Sequence, residues 1–252
     1  MESKLLVDQI KRFKDIDRVL GQVEKNNMWV WTMRVFAVSD FHGSMKAVRE
    51  AAYKAEDERA DIIVVCGDIT HFGSLEEARV LLSLFGRSRL PVLFVPGNCD
   101  PPSLIGVDVE GARCIHGVNE VFRDSIFVGV GSGLTSPFHT PFELTEEEIM
   151  KVLKQGVRHI PTKRWLVLVA HTTPKGTKID ITHAREHIGS SKIRRFIEEK
   201  KPSIVFCGHV HEARGIDRIG TTTVVNPGPA IDGFYALADF EEEVQVELRW
   251  LP

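Results

Sequence analysis

The chain has 252 residues, 43% hydrophobic and 27% charged, with a formal net charge of −3; these values sit near globular averages and exclude a disordered, collagenous or coiled-coil protein. With 32 basic residues against 35 acidic ones there is no global positive field, so nucleic-acid binding is not supported. No apolar run reaches the ~18–20 residues that span a bilayer, Met1 to Lys14 is too charged for a signal peptide, and Cys66, Cys99, Cys114 and Cys207 form no CxxC pair. The expectation is a soluble, cytoplasmic protein with free thiols.

Over residues 1–33, Leu6, Ile10, Phe13, Ile16, Leu20 and Val23 recur at three- and four-residue steps, the period of an amphipathic helix. Its apolar stripe suits docking on the following domain and equally suits a homodimer. From Arg34 the pattern becomes strand, loop, helix. Apolar runs at Val35–Val38, Ile62–Cys66 and Val92–Val95 alternate with helical stretches at Ser44–Glu58 and Ser74–Phe85, which indicates a buried parallel sheet of βαβ units. A second set of runs follows at Val121–Val130, Leu166–Ala170, Ile204–Cys207, Thr222–Val225, Tyr235–Asp239 and Val244–Trp250, with helices near Thr145–Lys154 and Ser190–Lys200. The last three runs lie close together, so the second half is expected to lean antiparallel. The simplest α/β architecture is two sheets packed face to face with helices outside each, in one domain over 34–252 after an N-terminal helical extension over 1–33.

Five polar signatures end predicted strands: "SDFHG", "GDIT", "GNCD", "HTTP" and "GHVH". In open α/β sheets that edge is where ligands bind. Together they supply seven metal-compatible groups: Asp40, His42, Asp68, Asn98, His171, His209 and His211. Asp40 and Asp68 are 28 residues apart and Asp68 and Asn98 are 30, about one βαβ unit each, so adjacent strands would bring them to one rim. Residues at i and i+2 share a rim only where the chain leaves strand geometry, and Gly43, Gly67, Gly97 and Gly208 are expected to supply that freedom. Four imidazoles, two carboxylates and one amide suit a pair of borderline divalent ions (Mn, Fe, Zn, Co or Ni) better than an all-oxygen Ca or Mg cage.

In order, residue type and spacing, these motifs resemble those of the calcineurin-like metallophosphoesterase superfamily, over Arg34 to the C-terminus. "GDITHFG", "SGLTSPFHTPFE", "HIGS" and "NPG" look like those of a prokaryotic, largely uncharacterised branch. The resemblance implies a four-layer αββα sandwich of two mixed sheets. It also implies that Asp40, His42 and His211 bind one metal, that Asn98, His171 and His209 bind the other, and that Asp68 bridges both. The activity implied is hydrolysis of phosphate esters by a hydroxide bridging two divalent ions, Mn foremost, with Asp68, Asn98 and His42 carrying the catalysis. The substrate would be a small phosphate ester or a nucleotide. Phosphodiesters are favoured, the alternatives being a phosphomonoesterase or nucleotide pyrophosphatase on the same metals, or a scaffold that has lost turnover.

One position departs from the common pattern. Most members carry His directly after the Asn ligand, placed to assist the leaving oxygen and supported by an Asp; here Cys99 precedes Asp100. A thiol of pKa ~8.5 is a poor substitute for an imidazole near ~6.5. His71 and His187 are the candidates to fill that role, and good leaving groups are expected to react much faster than poor ones. The Gly131–Glu143 loop is long enough to overhang the site, "NPG" at Asn226–Gly228 is expected to give structural support, and the basic helix around Arg194 and Arg195 reads as a solvated face.

Overall fold

The computed structural model describes residues 32–109 and 111–251. The helix expected over 1–33 lies outside them apart from Thr32 and Met33. Among the described residues, no helix is long and apolar enough to cross a membrane. All four cysteines are free and buried.

The first sheet has the order β14 (Val244–Trp250), β13 (Phe234–Phe240), β1 (Met33–Val38), β2 (Ile62–Val65), β3 (Val92–Phe94) and β4 (Ala112–Cys114). Strands β1 to β4 are parallel, and β13 runs antiparallel to both β1 and β14. The second sheet has the order β11 (Gly215–Ile219), β12 (Thr222–Asn226), β10 (Ile204–Phe206), β9 (Trp165–Ala170), β6 (Ser125–Val130) and β5 (Asn119–Phe122), and a separate two-stranded ribbon pairs β7 (Gly133–Leu134) with β8 (Glu143–Leu144). Its four central strands are parallel and only its edges, β11 and β5, are antiparallel. The antiparallel second half expected from sequence is therefore corrected: β13 and β14 leave it and complete the first sheet. The reason is burial on both faces. Tyr235 and Leu237 enter the outer core while Ala236 and Ala238 enter the core between the sheets, and only an interior position beside β1 covers both. The predicted strand Val121–Val130 is likewise two strands of a hairpin, turning at Arg123 in the left-handed region (φ 52°).

Three cores separate four layers. Phe36, Ile63, Val65 and Phe94 face outward onto α1 (Met45–Asp57) and α2 (Leu75–Ser83). Val35, Ala37, Val64, Phe127, Val169 and Phe206 fill the space between the sheets. Leu168, Val205 and Val224 meet α3 (Glu146–Gly156) and α4 (Ser191–Lys200) on the far side. Each fully buried Leu, Ile or Phe contributes roughly 1.5–3 kcal/mol, so strands apolar on both faces are held more firmly than any helix propensity could achieve. The helices begin at side-chain caps, Ser44, Ser74, Thr145 and Ser190, each accepting a backbone N–H three residues on. Thr145 and Glu148 form a reciprocal capping box.

This topology positions chemistry. The loops after β1, β2 and β3 and those after β9 and β10 leave the C-terminal ends of parallel strands, so they converge at one edge of the sandwich.

Candidate metal centre

Backbone bonds alone tie the loops into two groups, the first three and the last two. Asp40 N–H donates to Gly67 C=O at 3.0 Å, Phe41 and His42 N–H both donate to Asp68 C=O at 2.8 and 2.9 Å, and Gly208 N–H donates to His171 C=O at 3.0 Å. Four predicted ligands, Asp40, His42, Asp68 and His209, take φ between 46° and 69°. Left-handed backbone costs a non-glycine residue about 1 kcal/mol or more and persists only where surrounding bonds determine it. The glycine expectation is thus corrected in part. Gly43 and Gly67 have positive φ, whereas Gly97 and Gly208 permit close approach: a Cβ on Gly97 would collide with Asp68, and one on Gly208 with Ser39 and Asp40.

The predicted donors meet. His211 Nε2 lies 3.3 Å from Asp40 Oδ1 and 3.1 Å from His42 Nε2, which is 3.8 Å from Asp68 Oδ2. His171 Nε2 lies 3.5 Å from Asp68 Oδ1 and 2.9 Å from Asn98 Oδ1, and the His209 ring is 5.0 Å from that of His171. Two sub-clusters share the rim, Asp40/His42/His211 and Asp40/Asp68/His171.

The donor set fits divalent cations. His171 Nδ1 donates to Cys66 C=O at 2.8 Å, so Nε2 is the ring atom turned toward the Asp68 and Asn98 oxygens. Asn98 presents oxygen there because its Nδ2 donates to Cys99 Sγ at 3.4 Å. Carboxylate and amide oxygens crowded together in a buried site are unfavourable unless positive charge lies among them. Among the described residues, no Lys or Arg is paired with the buried carboxylates of Asp40, Asp68 or Asp100. Burial pushes Asp68 up to about 6, with the charges of Asp40 and Asp100 adding to it and that of His171 opposing. Burial would also raise Asp40, but the hydrogen bond from His211 and the His171 charge hold it at about 2. Burial lowers His42 to about 4 and His209 to about 3, which keeps both rings in the neutral form that ligates metal.

The four accessory candidates divide. His71 Nδ1 lies 3.3 Å from His42 Nδ1, a contact that fixes His42 as the tautomer with Nε2 free when His42 donates. Cys99, whose thiol burial pushes up and the Asp68 charge raises further, joins His42 and His71 in one cluster of donor atoms. Asp100 faces inward, accepting Ile69 N–H, Thr70 N–H, Gly97 N–H and the Thr70 hydroxyl at 2.7–3.1 Å, and so locks the "GDIT" and "GNCD" loops together. His187 does not join the donor cluster: its Nδ1 bonds Asp180 Oδ1 at 2.7 Å, which fastens the loop after β9. Asn226 gives the support expected of "NPG", donating to Val210 C=O between His209 and His211.

Two functional supports carry no sequence signal strong enough to find them. Half-buried His116 accepts Gly131 N–H at 2.9 Å and anchors the start of the Gly131–Glu143 loop. Glu143 closes that loop, accepting the N–H and hydroxyl of both Ser136 and Thr140 at 2.7–3.1 Å. Burial would raise its pKa, but these four bonds hold it at about 2, below the ordinary 4.5. The contribution is therefore fully present above about pH 4.5 and disappears as pH falls through 2. Glu143→Ala is expected to speed proteolytic cleavage within residues 135–142 and to raise KM for hydrolysed substrates about threefold or more with a smaller change in kcat, as limited proteolysis and steady-state kinetics would show.

A model of the calcineurin-like phosphoesterase superfamily domain matches residues 33–242. The chain belongs to this superfamily. An uncharacterized protein of Methanocaldococcus jannaschii is 40% identical over 203 residues, 78% of this chain and 88% of that protein. A probable cyclic nucleotide phosphodiesterase of Vesicomyosocius okutanii is 21% identical over 204 residues, 76% of this chain and 83% of the other. The crystal structure of a dimetal phosphatase from Danio rerio shares the fold with a TM-score of 0.59 at 13% identity, covering 86% of this chain and 96% of that one. The four-layer αββα arrangement expected from the motifs is the one observed.

Proposed function

We propose that this phosphoesterase is a phosphodiesterase working with two divalent ions, Mn foremost, one held by Asp40, His42 and His211 and the other by Asn98, His171 and His209, with Asp68 shared between them. The observation that carries the reading is the meeting of carboxylate, amide and imidazole groups from five loops at one rim, with no Lys or Arg among the described residues to offset the buried carboxylates. Such a metal pair, when bound, polarises the phosphoryl oxygens and makes water available as a nucleophile near neutral pH. The chain's own residues supply position. Cys66 C=O orients His171, Cys99 Sγ turns Asn98 oxygen-first, and Asp100 keeps the Asp68 and Asn98 loops at fixed separation. The preference for diesters is supported by the Vesicomyosocius okutanii relative's description and by Cys99 in place of an imidazole.

Purified protein stripped with EDTA and reloaded with Mn is expected to hydrolyse bis(p-nitrophenyl) phosphate faster than p-nitrophenyl phosphate. Aryl esters should exceed alkyl esters by about a hundredfold or more, because no imidazole follows Asn98. Strict preference for the monoester would overturn the diesterase reading. Fewer than two tightly held ions together with no turnover after Mn addition would favour a scaffold.

A further inference from the structure

We propose that the groove beside the metal-binding rim receives the larger organic arm of the substrate and selects arms that carry no second anionic group, an inference that rests on the phosphodiesterase reading above. The groove is a cavity of about 590 Å3 opening from Asn98 and His209, between the loop that follows β6 and the segment Thr182–Glu212. That volume falls within the range of small-molecule sites. Its walls are apolar at Leu134, Ile188 and Val210, and Phe138 stands at its margin 86% exposed, an aromatic face available for stacking.

Charge decides what the groove accepts. Among the described residues that line it there is no Lys or Arg, while Glu143, Glu186 and Glu212 place three carboxylates around it. Several of the groups that could solvate an anion are committed elsewhere, which leaves the hydroxyls of Thr135 and Thr182 as the groove's neutral donors. The hydroxyls and backbone N–H groups of Ser136 and Thr140 all point to Glu143. Glu212 is held by the N–H of His183, and Glu186 has no hydrogen-bond partner for its carboxylate among the described residues, so it meets whatever enters. A second phosphate in this space would face like charge in a partly apolar, reduced-dielectric setting with no cationic side chain among the described residues that line it. A neutral arm such as a nucleoside loses nothing there, and its hydroxyls can donate to Glu186. The rim attracts the scissile phosphate and the groove rejects a further one, which is selection by a built-in repulsive element.

The test compares thymidine 5′-(p-nitrophenyl phosphate) with its 3′-phosphorylated analogue, two diesters sharing leaving group and base, using the Mn-loaded protein. The wild type is expected to show kcat/KM about tenfold or more lower on the 3′-phosphorylated diester, carried mainly by KM. The double variant Glu186→Gln/Glu212→Gln should narrow this gap to about threefold or less, and Glu186→Lys, at an exposed position that leaves folding intact, should narrow it further. Equal kcat/KM on both diesters in the wild type, or an unchanged gap in both variants, would overturn the inference while leaving the diesterase reading standing. If neither diester reacts while p-nitrophenyl phosphate does, the diesterase reading fails and this inference fails with it.

Discussion

Replacing Asp68 by Asn is expected to lower phosphoester hydrolysis about a thousandfold and to leave at most one tightly held divalent ion per chain. Asp68 reaches both donor sets, with Oδ2 3.8 Å from His42 and Oδ1 3.5 Å from His171, and Asp40 is the other carboxylate that joins both clusters. Asn keeps the shape and can keep the 2.8 Å bond from Cys99 N–H, so the change removes charge and leaves the loop in place. A second consequence separates ligand loss from misfolding. In the metal-free protein Asp68 titrates near 6, above the ordinary carboxylate value, because burial and the charges of Asp40 and Asp100 disfavour its ionised form. A raised carboxylate pKa opposes folding: the penalty is absent below about pH 4, grows as pH rises to 6 and is complete above it, amounting to roughly 3 kcal/mol. Metal-free Asp68→Asn should therefore melt above metal-free wild type at pH 7.5 and show no such gain at pH 4. Added Mn should raise the melting temperature of the wild type far more than that of the variant. Calorimetry with and without EDTA, together with metal analysis, reads all three. Two tightly bound ions in an active variant would remove Asp68 from its proposed place.

The ligand-bearing strand ends were legible because each apolar run stops abruptly in a motif with Asp, Asn or His, with glycine in all but the "HTTP" loop, and the parallel topology then carries all five to one edge. Helix starts were legible for an equally local reason: Ser44, Ser74, Thr145 and Ser190 cap within their own turn. What local pattern cannot encode is partnership. The run Tyr235–Asp239 reads as buried, but nothing within it says that its neighbour is β1, some 200 residues away; that follows from small Ala236 and Ala238 fitting the inter-sheet space. Short strands β4 and β11 escaped notice because Arg113 in one and Asp217 and Arg218 in the other interrupt their apolar content. The left-handed backbone of Asp40, His42, Asp68 and His209 was hidden too, since carbonyls of distant loops impose it. His187 illustrates the converse error: a histidine near the right motif in sequence is engaged by buried Asp180.

Gly67→Ala tests whether the crowding where the "GDIT" loop passes against His171 and Gly97 is what holds the site. Gly67 has φ 96°, a conformation an L side chain adopts only under strain, and an added Cβ would lie 2.6 Å from His171 Nδ1 and 2.7 Å from the backbone of Gly97. Neither neighbour can yield. The Gly97 backbone carries the loop that supplies Asn98, and His171 is fixed on both ring nitrogens, by Cys66 C=O at 2.8 Å and against Asn98 at 2.9 Å. Strain and overpacking each cost roughly 1–3 kcal/mol, so a loss of about 3–5 kcal/mol is expected, against a total of about 5–15 for a domain. For a domain of this size that corresponds to a melting temperature lower by roughly 10–15 °C. Gly220→Ala is the control. It also has positive φ (+59°) but meets nothing within 4 Å, so it bears the backbone cost alone and should lose only about 1 kcal/mol. Metal content follows the same division, because only Gly67→Ala displaces the His171 ring. If the two variants melt together, or if Gly67→Ala retains both metals, the rim is more compliant than its contacts imply, and the rigidity assigned to the crossing of the "GDIT" and "HTTP" loops is wrong.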